Sequence, residues 1–131
     1  MSNKNLEIVK QNIIKLFNKK KFNKISKISS KILSSFEDQP DIAKIIVMSN
    51  LNTKNFLKAE QFLRKVLIRN NTDEFNYILG NTLKIQDKNH EAIIAYKKSI
   101  SLNKNFSEAY NNLANVQKKI RDFDDALLNY N

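Results

Sequence analysis

The stretch from 76 to 103, NYILGNTLKIQDKNHEAIIAYKKSISLN, returns in altered form from 110 to 131 as YNNLANVQKKIRDFDDALLNYN. Leu79 falls on Leu113, Gly80 on Ala114, Ala92 on Ala126 and Tyr96 on Tyr130, each 34 positions further on. One step back, Ala59, Leu63 and Val66 precede Ala92, Tyr96 and Ser99 by 33, and Ile46-Val47 precedes Leu79-Gly80 by the same interval. Self-similarity at this period marks stacked supersecondary units, each burying its apolar face on its neighbours. The chain has one Gly and one Pro in 131 residues, too few for a fold built on tight β-turns. The repeating unit is therefore helical.

Within each unit the apolar residues recur at helical spacing and the breaks are short and polar. TKN at 53–55, QDKN at 86–89 and IRD at 120–122 separate antiparallel helices. Thr72 before Asp73-Glu74 reads as an N-cap with acids in the first turn. Pro40 suits a first helical turn, where its missing N–H is no loss. These signals predict helices over roughly 6–19, 23–36, 40–52, 55–69, 73–86, 89–102, 107–120 and 123–131. Ala59, Gly80, Ala92, Ala114 and Ala126 lack bulk, so helix backbones can approach closely there. Gly80→Ala is expected to be tolerated, because Ala114 fills the matching place.

These positions resemble the tetratricopeptide repeat (TPR). Its signature sets an aromatic, Leu-Gly and a second aromatic on the first helix, then Ala and an aromatic on the second, with a closing Pro. Residues 73–106 match at Leu79-Gly80, Leu83, Ala92, Tyr96 and Leu102, with Asn76 and Lys104 as departures. Residues 107–131 match at Tyr110, Leu113-Ala114, Gln117, Ala126 and Tyr130, and residues 40–72 at Ile46-Val47, Phe56, Ala59, Leu63 and Val66. Residues 6–39 fit loosely, through Ile13, Phe22, Ile28 and Ile32. The resemblance implies an all-α, TPR-like right-handed superhelix of antiparallel helix pairs, about three and a half repeats or roughly seven to eight helices. It also implies repeats over 6–39 (degenerate), 40–72, 73–106 and 107–131 (incomplete). Because DDALLNYN halts midway through a second helix, the chain is expected to be the N-terminal fragment of a longer protein.

Charge and composition narrow the functions. Of 23 basic residues, 20 are Lys, and Asn, Ile and Phe are abundant, the pattern that an AT-rich genome produces. Residues 1–39 carry nine Lys against three acids, whereas residues 107–131 carry three cations against four acids. The excess of +10 thus lies in the N-terminal half. Lys19-Lys20-Lys21 sits where cations suit the end of the first helix. With few Arg and no interleaved aromatics, nucleic acid is not the expected partner. The absence of Cys fits a reducing compartment, and the longest aliphatic run, Ile45 to Met48, is far too short to cross a bilayer. A cytoplasmic location is expected.

No catalytic constellation stands out. His90 is the single His, and alone it makes neither a zinc site nor a triad. Asp73-Glu74 and Asp124-Asp125 are adjacent on helices, so their side chains diverge. No cofactor, metal or enzymatic activity is expected. Binding remains. On the TPR resemblance the first helices line a concave groove holding a peptide or partner helix. That assigns Lys44, Met48, Tyr77, Asn81, Lys84, Asn111, Asn112, Asn115 and Lys118 to the groove. Asn81 and Asn115 match at 34 apart, and each amide carries both a donor and an acceptor with which to grip a peptide backbone. The basic clamp for a C-terminal carboxylate is not matched, since Lys44 is followed one turn later by Met48. The alternative reading is a substrate-presenting N-terminal array of a larger sulfotransferase- or glycosyltransferase-like enzyme.

Overall fold

The computed structural model describes residues 1–130, with the side chain of Tyr130 excepted. The sequence match of Tyr130 to Tyr96 therefore lies outside the described side chains. All regular structure among the described residues is helical, and the chain forms two compact units, residues 1–70 and 71–131.

The first unit holds α1 (Asn3–Asn18), α2 (Phe22–Ser26), α3 (Ser30–Leu33) running into a 3₁₀ turn (Ser34–Phe36), α4 (Pro40–Asn52) and α5 (Phe56–Arg69). Its core is apolar and mostly aliphatic: Ile13, Ile25, Phe36, Ile46, Val47, Ala59, Leu63 and Val66 are fully buried. Ala59, on α5, is buried as its place in the repeat implies. Pro40 opens α4 at the first turn.

The single helix expected over 23–36 is broken into three pieces, and serine chemistry explains it. Ser26, Ser29, Ser30, Ser34 and Ser35 fall in this stretch, and short hydroxyl side chains bond the backbone in ways that compete with helix. The Ser29 hydroxyl accepts from the Ile32 N–H and so starts a new helix, while the Ser34 hydroxyl donates to the Lys31 carbonyl. Carbonyls released at the end of α2 are recovered by a tertiary contact. The Lys58 ammonium, from α5, donates to the carbonyls of Ser26 and Ile28. A cation at a helix C-terminus is favoured by charge as well as by hydrogen bonding.

The second unit holds α6 (Asp73–Ile85), α7 (Asn89–Leu102) and α8 (Ser107–Tyr130). The Thr72 hydroxyl accepts from the Phe75 N–H, with Asp73 and Glu74 in the first turn. Leu79, Leu83, Ala92, Tyr96, Ala109 and Val116 fill the core. The Ser99 hydroxyl donates to the Asp73 carbonyl at 2.8 Å, and Asn103 Nδ2 to the Asp73 carboxylate at 2.9 Å, which pins the end of α7 to the start of α6.

Three helix ends share one backbone device. Lys20, Lys54 and Asp87 adopt left-handed φ values of 57°, 61° and 59°, 34 and then 33 residues apart. Around each, two N–H groups turn back onto the preceding helix. For α6 they run from Asp87 to the Lys84 carbonyl and from Lys88 to the Leu83 carbonyl. The same pair closes α4 (Lys54 to Leu51, Asn55 to Asn50) and α1 (Lys20 to Phe17, Lys21 to Leu16). This is the Schellman closure, here without glycine.

The fourth such closure belongs at Arg121 and is not made. The sequence predicts helices over 107–120 and 123–131 with a break at IRD, but α8 runs unbroken for 24 residues, about 36 Å at 1.5 Å per residue. A left-handed non-glycine residue costs roughly 1–2 kcal/mol, and it is sustained where the returning helix buries apolar surface. Residues 121–129 are all exposed, Phe123, Leu127 and Leu128 among them. With Lys118, Lys119, Arg121, Ala126 and Leu127 all good helix formers, the chain keeps its ladder of backbone bonds.

Candidate functional site

The sequence-derived groove residues of the second unit lie on α6 and α8. Tyr77, Asn81 and Lys84 are spaced i, i+4 and i+7 on α6, and Asn111, Asn112, Asn115 and Lys118 lie on α8. Three of them are joined in one network. Asn112 Nδ2 donates to the Tyr77 hydroxyl at 3.1 Å and to Asn81 Oδ1 at 3.0 Å. The Tyr96 hydroxyl, reaching across from α7, donates to the same Asn81 Oδ1 at 2.6 Å.

The aromatic rings hold this network in place. Tyr77 packs on Phe106 with ring centroids 4.8 Å apart and on Tyr96 at 6.1 Å. Tyr96 is fully buried. Burial, and secondarily the neighbouring Tyr77, pushes its phenol well above the ordinary range. It stays a neutral hydroxyl, able to donate, across the working pH range. Tyr96 also explains Gly80. A Cβ there would lie 2.6 Å and 2.7 Å from the Tyr96 ring carbons Cε1 and Cδ1. The close approach of ring to backbone is what brings the hydroxyl to Asn81.

The consequence for Asn81 is chemical. Its carbonyl oxygen is taken by two donors, so the side chain presents its NH₂ group outward. The sequence reading of Asn81 as donor and acceptor together is corrected to donor alone. Asn111 and Asn115 are exposed, and neither side chain hydrogen-bonds to another described residue. The 34-residue match of Asn81 to Asn115 is thus one of position, not of environment. Lys84 is half-buried and Lys118 exposed, and they too are 34 apart. The α6 and α8 side chains named here therefore include a fixed amide donor at Asn81, free amides at Asn111 and Asn115, and the ammonium groups of Lys84 and Lys118. In the first unit, Lys44 is exposed and Met48, one turn later on α4, is half-buried.

Sequence reasoning missed Phe106 and the hydroxyl of Tyr96. Phe106 falls in a loop, where no periodicity marks it. The repeat marks Tyr96 only as the matched aromatic of the second helix, and nothing in the spacing shows that its hydroxyl reaches Asn81, 15 residues earlier. His90 is exposed and lines a shallow groove with Asn89, Lys119, Ile120 and Phe123. Among the described residues no group of three or more His, Cys, Asp or Glu side chains could hold a metal ion. No helix of the described chain is long and apolar enough to cross a membrane.

Helix hairpins repeating at 33–34 residues, with a small residue at each crossing, define a helical-repeat protein. Two family models, both described as tetratricopeptide repeat, match residues 73–106 and 95–127. Residues 73–127 thus carry tetratricopeptide repeats, and the chain is an all-α helical-repeat protein with the fold of that family. No curated protein matches its sequence. Among solved structures, one of MamA is 23% identical with a TM-score of 0.72, over 88% of this chain and 68% of that one. A second, of MamA protein, is 22% identical with a TM-score of 0.77, over 95% and 69%. The first TPR of Spaghetti (RPAP3), bound to the HSP90 peptide SRMEEVD, is 18% identical with a TM-score of 0.76, over 92% and 97%.

Proposed function

We propose that this chain is a protein-interaction module and that the α6–α8 face of its second unit binds an extended peptide segment. One observation carries the reading. Tyr96 and Asn112 fix the Asn81 carboxamide with its NH₂ outward, and Asn115 and Lys118 continue the row of donors on α8. Such a row complements backbone carbonyls and carboxylates. A side chain whose rotamer is already locked loses little entropy on binding. The peptide held by the RPAP3 repeat, a structure of similar fold, supports the class of partner. Lys84 is proposed as a charged contact beside Asn81; Lys44 and Met48, on α4, are proposed separately as contact residues of the first unit. The Lys-rich N-terminal half adds diffuse attraction only.

The test is a selection from a random peptide library on the 131-residue chain. Binders should hold at several hundred millimolar salt, because hydrogen bonds to a bound backbone are not screened as exposed charges are. Asn115→Ala with Lys118→Ala should weaken them at least tenfold without changing the melting temperature. Peptide binding indifferent to both substitutions would refute the assignment of this face. Tight, salt-resistant RNA or DNA binding that depends on Lys19, Lys20 and Lys21 would refute the functional class.

A further inference from the structure

The end of α8 and the first unit are opposite in charge. Phe123, Leu127 and Leu128 are 64%, 53% and 74% exposed, and with Asp124 they fall on one side of the helix. From residue 122 to 131 the chain has three Asp and no cation. Residues 121–129 are all exposed, so the chain's own helices leave this acidic, amphipathic helix end bare. Between residues 8 and 36, by contrast, there are eight Lys and no acid. Among the described residues none of those eight forms an ion pair. A groove at the start of α5 is lined by Lys54, Phe56, Leu57 and Lys58 among others, and by no acid. Ser30 also lines it, which joins the groove to the acid-free stretch. Leu57 is 56% exposed.

We propose that a second copy of this chain seats the acidic end of its α8 in this groove, so that copies associate head to tail. Charge complementarity decides the occupant. An apolar floor flanked by lysines calls for a helix that carries leucine and aromatic side chains beside carboxylates. The end of α8 has that composition, with Asp124 set between Phe123, Leu127 and Leu128. Lys58 keeps its positive charge in the groove although its hydrogen bonds go to the Ser26 and Ile28 carbonyls. An amphipathic helix laid in an apolar groove is a recurrent mode of recognition, and opposite charges speed the encounter and fix the register. The contact joins two different surfaces, so each added copy leaves one groove and one helix end unused, and assembly continues beyond the dimer. A single short helix end makes a small contact, below roughly 1,200 Å² in total, which belongs to the weak, transient class. The peptide face proposed on α6 and α8 uses other side chains, so neither reading depends on the other.

Sedimentation velocity of the full chain tests this. From about 10 μM to about 1 mM, the range in which weak contacts form, the natural chain should give species beyond the dimer that grow with concentration. Raising salt from about 50 mM to about 500 mM should weaken the association at least fivefold. Phe123→Ser with Leu127→Ser disables the helix end, and Leu57→Glu disables the groove. All three residues are exposed, so the melting temperature should hold in both variants. Each variant alone should stay monomeric. Mixed in equal amounts, the two should form dimers and nothing larger, because one intact groove and one intact helix end remain to meet. A natural chain that is monomeric throughout, assembly indifferent to salt, association of either variant alone, or a mixture that stays monomeric would each overturn the proposal. The concentration and salt dependence of the natural chain needs no variant.

Discussion

Replacing Gly80 with Ala puts two effects in opposition whose sizes can be set from the structure. In a helix interior, Gly→Ala ordinarily stabilises by roughly 0.8–1 kcal/mol, since Ala restricts the unfolded chain. Here the new methyl would sit 2.6 Å and 2.7 Å from two carbons of the Tyr96 ring, against the roughly 3.5–4.0 Å of ordinary carbon contact. The ring is fully buried and its hydroxyl is bonded to Asn81, so it must shift by about 1 Å within a close-packed core. Overpacking of this kind costs roughly 1–3 kcal/mol, and weakening the Tyr96–Asn81 bond adds about 0.5–1.5 kcal/mol. The net is a destabilisation of about 2 kcal/mol, from the central values of those ranges. Urea unfolding followed by circular dichroism measures it directly. The cause is checked in a Tyr96→Leu background, where the ring is gone and Gly80→Ala should become neutral or stabilising. A stability gain for Gly80→Ala in the natural background would refute the steric reasoning. The sequence expectation of tolerance rested on Ala114, and it misled because Ala114 is exposed. No returning helix covers that alanine.

Three further outcomes follow from the same structure. Lys58→Met keeps the stem but removes the donor to the Ser26 and Ile28 carbonyls, and should cost roughly 1–3 kcal/mol in chemical unfolding. Lys54→Gly relieves a left-handed residue and should stabilise by up to about 1 kcal/mol, visible as a higher melting temperature. The Tyr96 phenol titrates higher in the folded chain than in the unfolded one. Its contribution is therefore fully present below the unfolded pKa of about 10 and is lost as pH rises beyond it. A melting-temperature profile from pH 9 to 11 should fall in the natural chain and fall less steeply in Tyr96→Phe.

Much of the fold was legible because it is written in spacing. Leu79-Gly80, Ala92 and Tyr96 gave the hairpin of the second unit and its crossing, and the ends of α4 and α7 were placed to the residue. What failed to show was the state of the connections. Lys20, Lys54 and Arg121 are all long cations at matching points of the repeat, yet two turn left-handed and one stays helical. The residue itself does not decide. The outcome depends on whether the following segment buries enough apolar surface to offset the strain, which is a tertiary quantity. The serine-rich stretch from 26 to 35 is different. There the serines that break the helix are in the sequence, whereas the loose repeat match through Phe22, Ile28 and Ile32 points to one continuous helix.

The Tyr77–Asn81–Asn112 network of the candidate site was legible as positions and not as chemistry. Residue spacing put Tyr77, Asn81 and Asn112 on one face, but an amide's two ends are interchangeable until its neighbours choose between them. Asn112 Nδ2 can only donate, to the Tyr77 hydroxyl and to Asn81 at once. Its commitment requires an oxygen at Asn81, and the Tyr96 hydroxyl, kept protonated by burial and so able to donate, donates to the same oxygen. Two independent donors thus fix one acceptor, and the opposite end of Asn81 becomes a donor by elimination. The geometry that permits this begins at a missing side chain. Only because residue 80 is glycine can the Tyr96 ring lie against α6 and bring its hydroxyl within 2.6 Å of Asn81. Gly80 and the proposed contact Asn81 are therefore one device, and if the proposed function holds, a substitution at Gly80 should alter peptide binding without touching the peptide.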